Sequence, residues 1–307
     1  MKKRIENLNN LGQMTQKSNF TLINPQTGNL AFKLSQFEGD NPFDHIQRMN
    51  YYSLIWVKKG KGNARTDFSE HEFNDNKLFS FAPYQPFMLE VQGDFKATVI
   101  NFHPDFFCIY KHHKEVACNG VLFNNIYNPP FIQIDDLTKI TFENVIEQIR
   151  LEIQNPALAQ YELLISYLKI FLITASRLKT EQQPELQQAT TGKEEPFILQ
   201  NLKNYIEQHF KTKHTASDYA DILAISPKAL AKLTKTYFNK TLTDLISERI
   251  VIEAKRELYL TNKSVKEISY ELGYNDEYYF SRFFKKNAEV SPQIYRETVG
   301  FDKAANI

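Results

Sequence analysis

The sequence predicts an α+β protein in two parts, a β-rich N-terminal half and an all-helical C-terminal third. Three observations carry that reading. Short aromatic and β-branched runs crowd the first hundred residues. Apolar residues at helical spacing take over from about residue 142. Near the end of the chain, one helix–turn–helix pattern occurs twice.

The N-terminal strands are expected at Phe20–Asn24, Leu30–Leu34, Tyr51–Val57, Leu78–Ala82, Phe87–Val91 and Phe95–Phe102. Turn signals at Gly60-Lys61-Gly62 and Pro83-x-x-Pro86 separate them. Several short strands at this spacing imply a small barrel or jelly roll. A helical segment follows. Phe142, Val145, Ile146, Ile149 and Ile153 form one stripe, stopped by Asn155-Pro156. Tyr161, Leu164, Leu168, Phe171, Ala175 and Leu178 then alternate steps of three and four, the spacing of a coiled-coil seam. Leu163, Tyr167 and Ile170 make a second apolar set off that seam. One stripe is expected on the β domain and the other, the seam, against a second subunit; the alternative is that both are core. The polar tract 180–196 lacks apolar period and aromatics and reads as a flexible linker.

The repeated unit lies in the last hundred residues. Its first copy spans Tyr219–Leu233 and its second Ile268–Phe284. Each reads as a short amphipathic helix, a tight turn and a second helix, the pattern of a DNA-reading helix-turn-helix. In each, an apolar anchor (Leu230 or Phe280) precedes by two residues a base, Lys232 or Arg282. Capping signals support the boundaries. Thr215-x-x-Asp218 and Ser264-x-x-Glu267 are capping boxes, while Ser226-Pro227 and Ser291-Pro292 set an N-cap before proline. Leu242, Leu245, Ile246, Ile250, Ala254 and Leu258 predict one connecting helix. About 19 residues at 1.5 Å each give a spacer of roughly 28 Å. Successive major-groove faces lie roughly 34 Å apart, so two readers on such a spacer suit one face of DNA.

The run Ile268-x3-Leu272-Gly273-Tyr274-x5-Phe280-Ser281-Arg282-x-Phe284-Lys285-Lys286-x4-Ser291-Pro292-x2-Tyr295-Arg296 resembles the signature of the AraC/XylS family of bacterial transcription regulators. Ser226-x3-Leu230 and Arg249-x4-Ala254 fit the family's first half. The resemblance covers residues 197–298. Three departures stand out. Asn239 and Glu289 follow the second helices where the family has glycine, and Thr234 replaces a commonly buried aromatic, so looser packing is expected in the first unit. Asn suits a left-handed helix end better than Glu does.

The resemblance implies a cupin-like β domain over 1–136, a helical dimerisation segment over 137–179, the linker 180–196, and a double helix-turn-helix domain over 197–298. It also implies double-stranded DNA and RNA polymerase as partners and a small-molecule effector in the β domain; a homodimer is expected from the helical stripes, and an activator is expected with repression left open. By family offsets, Lys228, Ala231 and Lys232 of the first unit and Tyr278, Ser281 and Arg282 of the second face the major groove. Arg282 is suited to clamp guanine O6 and N7, and Lys232 to read guanine or hold phosphate. Glu277 either accepts from cytosine or caps its helix. Leu230, Leu233, Phe280, Phe283, Phe284 and Tyr295 are expected as core.

Composition bounds other functions. Residues 196–307 hold 17 Lys/Arg against 14 Asp/Glu, a net +3, and residues 1–195 a net −2. That is a weak basic footprint, so DNA affinity depends on where the cations sit. His45, His71 and His103 form no His-x-His, and His112-His113 point to different faces, so no metal or cofactor and no catalytic residue is expected. There is no phosphate loop or dinucleotide turn. An enzymatic cupin fused to a DNA-binding domain is the alternative, as is a β domain that only dimerises. Met1-Lys2-Lys3-Arg4 leads into Glu6–Asn10 rather than an apolar signal core, and no apolar stretch suffices to cross a bilayer. Two cysteines, Cys108 and Cys118, make no framework, and a reducing, cytoplasmic setting is expected.

Overall fold

The computed structural model describes residues 18–24, 28, 30–66, 69–191 and 197–299, apart from the side chains of 183–191 and 197. Among the described residues six strands come first, β1 (Ser18–Ile23), β2 (Leu30–Glu38), β3 (Tyr52–Thr66), β4 (Ser69–Phe73), β5 (Lys77–Phe81) and β6 (Phe87–Phe102), and β7 (Phe131–Gln133) follows after a one-turn helix. They form one antiparallel sheet in the order β1-β2-β6-β3-β5-β7, with β4 paired to β3.

Two strands are longer than the sequence suggests. Gly60-Lys61-Gly62, expected as a turn, lies inside β3, where the pairing with β6 slips between Val57 and Lys59 and again between Lys59 and Lys61. Gly60 has φ +143°, and a Cβ on Gly62 would sit 1.8 Å from the Glu90 carbonyl oxygen. Glycine here therefore bends a strand instead of ending it. The two predicted strands Phe87–Val91 and Phe95–Phe102 are likewise one strand, β6, running through Gly93. β4 and β7 carry too little apolar pattern for the sequence to announce them.

Both faces of the sheet are covered. Leu54 and Trp56 of β3 point into one core, Ile55 and Val57 into another. The second core gathers Val57 and Ala64 from the two halves of β3 and Leu89 and Val99 from those of β6, so the sheet curls over itself around phenylalanines 43, 73, 79, 81, 87, 95 and 131. Phe81 and Phe87 stack with centroids 4.0 Å apart.

The first core is completed by α2 (Asp136–Gln154) and α3 (Gln160–Thr191), which follow the one-turn helix α1 (His113–Val116). Asp135 caps α2 by accepting from Thr138 N. Here the expected dimer seam is corrected. Leu164, Leu168, Phe171, Ala175 and Leu178 are buried within the subunit, and Phe171 stacks on Phe142 at 3.9 Å. A heptad-like stripe is equally what α3 needs to lie on α2 and the sheet. The tract read as a linker is also helical as far as Thr191, in keeping with its Glu, Gln and Ala content. Residues 192–196 lie outside the described residues.

The C-terminal third consists of α4 (Phe197–His209), α5 (Ala216–Ile222), α6 (Pro227–Phe238), α7 (Leu242–Leu260), α8 (Val265–Glu271), α9 (Glu277–Ala288) and α10 (Pro292–Val299). One core unites Leu202, Tyr219, Leu230, Leu245, Ile250, Phe280, Phe284 and Tyr295. Cys108 and Ile126 of the β domain belong to the same core, so the two parts are packed together.

Candidate nucleic-acid interface

The helix pair α5–α6 is set by its caps. Thr215 and Asp218 form a reciprocal capping box at α5, and Ser226 Oγ accepts from Ala229 N at 3.2 Å ahead of Pro227. The pair α8–α9 repeats the arrangement. Ser264 and Glu267 form the box at α8, and Asp276 accepts from Tyr278 N at 2.7 Å and Tyr279 N at 3.1 Å. The cap of α9 is thus Asp276, and the capping alternative for Glu277 is set aside. Glu277 instead sits in the first turn, where a carboxylate suits the helix dipole.

The two turns hold a left-handed residue at matching places, Ala224 with φ +52° and Gly273 with φ +81°. A Cβ on Gly273 would meet Lys211 O at 2.1 Å, so the turn after α4 packs against the second turn only because the residue is glycine. α7 joins the pairs and is capped by a third box, Thr241 with Asp244.

On α6, Leu230 faces the core while Lys228, Ala231 and Lys232 are exposed. On α9, Phe280 faces the core, Tyr278 is 77% exposed, Arg282 is exposed, and Ser281 and Glu277 are half-buried. The offsets match: two before and two after the anchor lie on the solvent side of each helix. Leu233 and Phe283, expected as core, are half-buried flanks. The same faces continue to Lys235 and Lys285, a turn further on, which sequence reasoning passed over. Among the described residues, Lys228, Lys232 and Arg282 make no ion pair.

Both second helices end in the left-handed region, at Asn239 (φ +53°) and Glu289 (φ +61°). Glu289 takes up this conformation despite its Cβ, and its carboxylate pairs with Arg48 of the β domain. Thr234 fits its apolar site by donating its hydroxyl to Ala231 O at 3.1 Å.

The histidines are scattered. His45 is exposed beside Asp44, His71 lies on β4, and His103 is buried with Nε2 3.4 Å from Thr298 O of α10. Among the described residues no group of three or more His, Cys, Asp or Glu is placed to hold a metal ion. Cys108 and Cys118 are buried and form no disulfide, and burial pushes the Cys118 thiol up to about 12. No described helix is long and apolar enough to cross a membrane.

A family model described as a helix-turn-helix domain matches residues 219–298. The HTH-type transcriptional activator Btr of Bacillus subtilis (strain 168) is 31% identical over 245 residues, covering 78% of this chain and 43% of Btr. The raffinose operon transcriptional regulatory protein RafR of Pediococcus pentosaceus is 32% identical over 97 residues, 32% of this chain and 35% of RafR. The chain therefore spans less than half the length of either relative. Among solved structures, the C-terminal domain of the response regulator AraT from Geobacillus stearothermophilus is similar at 28% identity, covering 38% of this chain and 95% of that one, with a TM-score of 0.35. The signature residues from Ile268 to Arg296 occupy α8–α10, within the matched region and among relatives that are transcription regulators and not enzymes: the chain belongs to the AraC/XylS family.

Proposed function

We propose that this protein is a cytoplasmic, sequence-specific DNA-binding transcription regulator that reads two adjacent major-groove segments with α6 and α9. The observation that carries this is the matched solvent face of the two helices, with a base two residues after a buried anchor in each. Lys228, Ala231 and Lys232 read one segment, and Tyr278, Ser281 and Arg282 the other, with Glu277 at the edge of the second. Lys235 and Lys285 extend these faces as phosphate contacts. Both helix pairs then act as helix-turn-helix units, held about 28 Å apart by the 19 residues of α7.

The likeness to Btr, an activator, supports activation through contact with RNA polymerase. The curled sheet supports a cupin-type β domain. Dimerisation is assigned to the second apolar set of α3, since Leu163 (38% exposed) and Ile170 (46%) face solvent and Tyr167 reaches Gln148 of α2. An effector is expected to act through the β domain, and the phenylalanine-filled interior of the curled sheet favours a site outside it.

Binding of the full chain to a randomised DNA pool tests the reading. Arg282→Ala should cost roughly 1–3 kcal/mol and relax preference at one base position. Unchanged affinity and preference in that variant would remove α9 from the interface.

A further inference from the structure

The β domain and the helical domain meet around a cavity of about 70 Å³. Its walls come from both. Thr66, Ser69, Ser80 and Asn128 belong to the β domain; Lys240 and Lys255 belong to the helical domain. A single water needs roughly 10–15 Å³, so the space suits a molecule of about five to seven non-hydrogen atoms.

The polar groups are organised. Ser80 Oγ donates to Leu122 O at 2.7 Å, and Thr66, Ser69 and His71 form a chain of hydrogen bonds of 3.1 and 2.9 Å. Those hydroxyls can rotate to serve an occupant as donor or acceptor. Lys240 Nζ donates to Ile126 O at 3.1 Å and to Glu248 Oε2 at 2.8 Å. An ammonium has three hydrogens, so one is left for the cavity. Lys255, buried, donates to Pro83 O at 3.0 Å. Two lysines and one carboxylate, Glu248, line the cavity. His71, bonded to Ser69, has its pKa held down to about 4, by burial first and then by the charges of Lys240 and Lys179.

We infer that this interdomain cavity binds a small hydroxylated monocarboxylate, its carboxylate held by Lys240 and Lys255 and its hydroxyls by Thr66, Ser69 and Ser80. Because the walls belong to two domains, the occupant binds the docked arrangement better than a separated one and so stabilises docking. Docking is also what fixes α10, where Asn50 donates to Thr298 O at 2.9 Å and Tyr84 OH lies 2.6 Å from Thr298 Oγ1. Control of DNA binding by this ligand rests on the regulator reading above; the site itself does not.

Calorimetric titration of the full chain with D-glycerate, without DNA, tests the site, with glycerol and inorganic phosphate as comparisons. One saturable site for glycerate and none for glycerol is expected. Lys240→Met should weaken binding about tenfold or more, equivalent to about 1.4 kcal/mol. Ile252→Phe, which fills the cavity from α7, should do the same while melting like the parent protein. Absence of saturable heat with glycerate, or undiminished binding in both variants, overturns the assignment. Phosphate binding as tight as glycerate overturns the carboxylate and leaves an inorganic anion site. Glycerate binding that leaves operator affinity unchanged upholds the site and contradicts its regulatory role.

Discussion

Ala224 and Gly273 occupy the same left-handed position in the two turns, yet only one is glycine. Ala224→Gly should therefore stabilise the chain by roughly 0.5–1 kcal/mol, the strain relieved less the entropy glycine loses. Gly273→Ala should destabilise strongly, because Lys211 O is 2.1 Å from the new Cβ. Urea denaturation of both variants measures the contrast. Lys179 gives a pH prediction. It is fully buried, donates to Pro129 O at 2.9 Å, and burial pulls its pKa down to about 7. Between about pH 7 and the unfolded value near 10.4, the unfolded state holds the extra proton, so folding stability rises with pH, by at most about 1.4 kcal/mol per unit. Lys179→Met should flatten that slope and stabilise the chain at neutral pH, as read from denaturation midpoints across pH 7–10. An unchanged slope would show that other groups set it.

At the scale of elements, α3 presents two apolar stripes, one buried in the subunit and one exposed. Leu168→Glu and Phe171→Glu should each unfold or severely destabilise the subunit, because they place a charge among Phe142, Trp56 and Ile149. Leu163→Glu with Ile170→Glu should leave the melting temperature nearly unchanged and, if these faces join subunits, shift sedimentation from dimer to monomer. The two stripes look alike in sequence, since periodicity reports a buried face without saying what buries it. The helical domain was far more legible. Its capping boxes at Thr215 and Ser264, its proline starts and its repeated anchor each specify local geometry through neighbours a few residues away. The β domain was less so, because glycine at 60, 62 and 93 marks a bend or a turn with the same letter. The exposed faces of α6 and α9 were visible for the same local reason, whereas Lys240 and Lys255 gained their place in the cavity only by long-range docking, beyond any spacing rule.

Across the whole molecule, the β domain touches the C-terminal ends of both α6 and α9. Arg48 pairs with Glu289 after α9, and Tyr127 packs on Phe238 at the end of α6 with centroids 5.7 Å apart. Docking and reader geometry are thereby linked, so a ligand that favours docking can bias the pair of readers together. Arg48→Ala should change the affinity of the α9 half-site more than that of the α6 half-site, as seen by titrating operators carrying one intact half. The central claim is that α6 and α9 read neighbouring segments of one DNA face, and base-resolved footprinting of an operator selected by the full chain tests it most directly. The account predicts two protected major-groove segments about one helical turn apart, with Lys232→Ala altering preference in one and Arg282→Ala in the other. A single protected segment, or two substitutions that alter the same base positions, would contradict it.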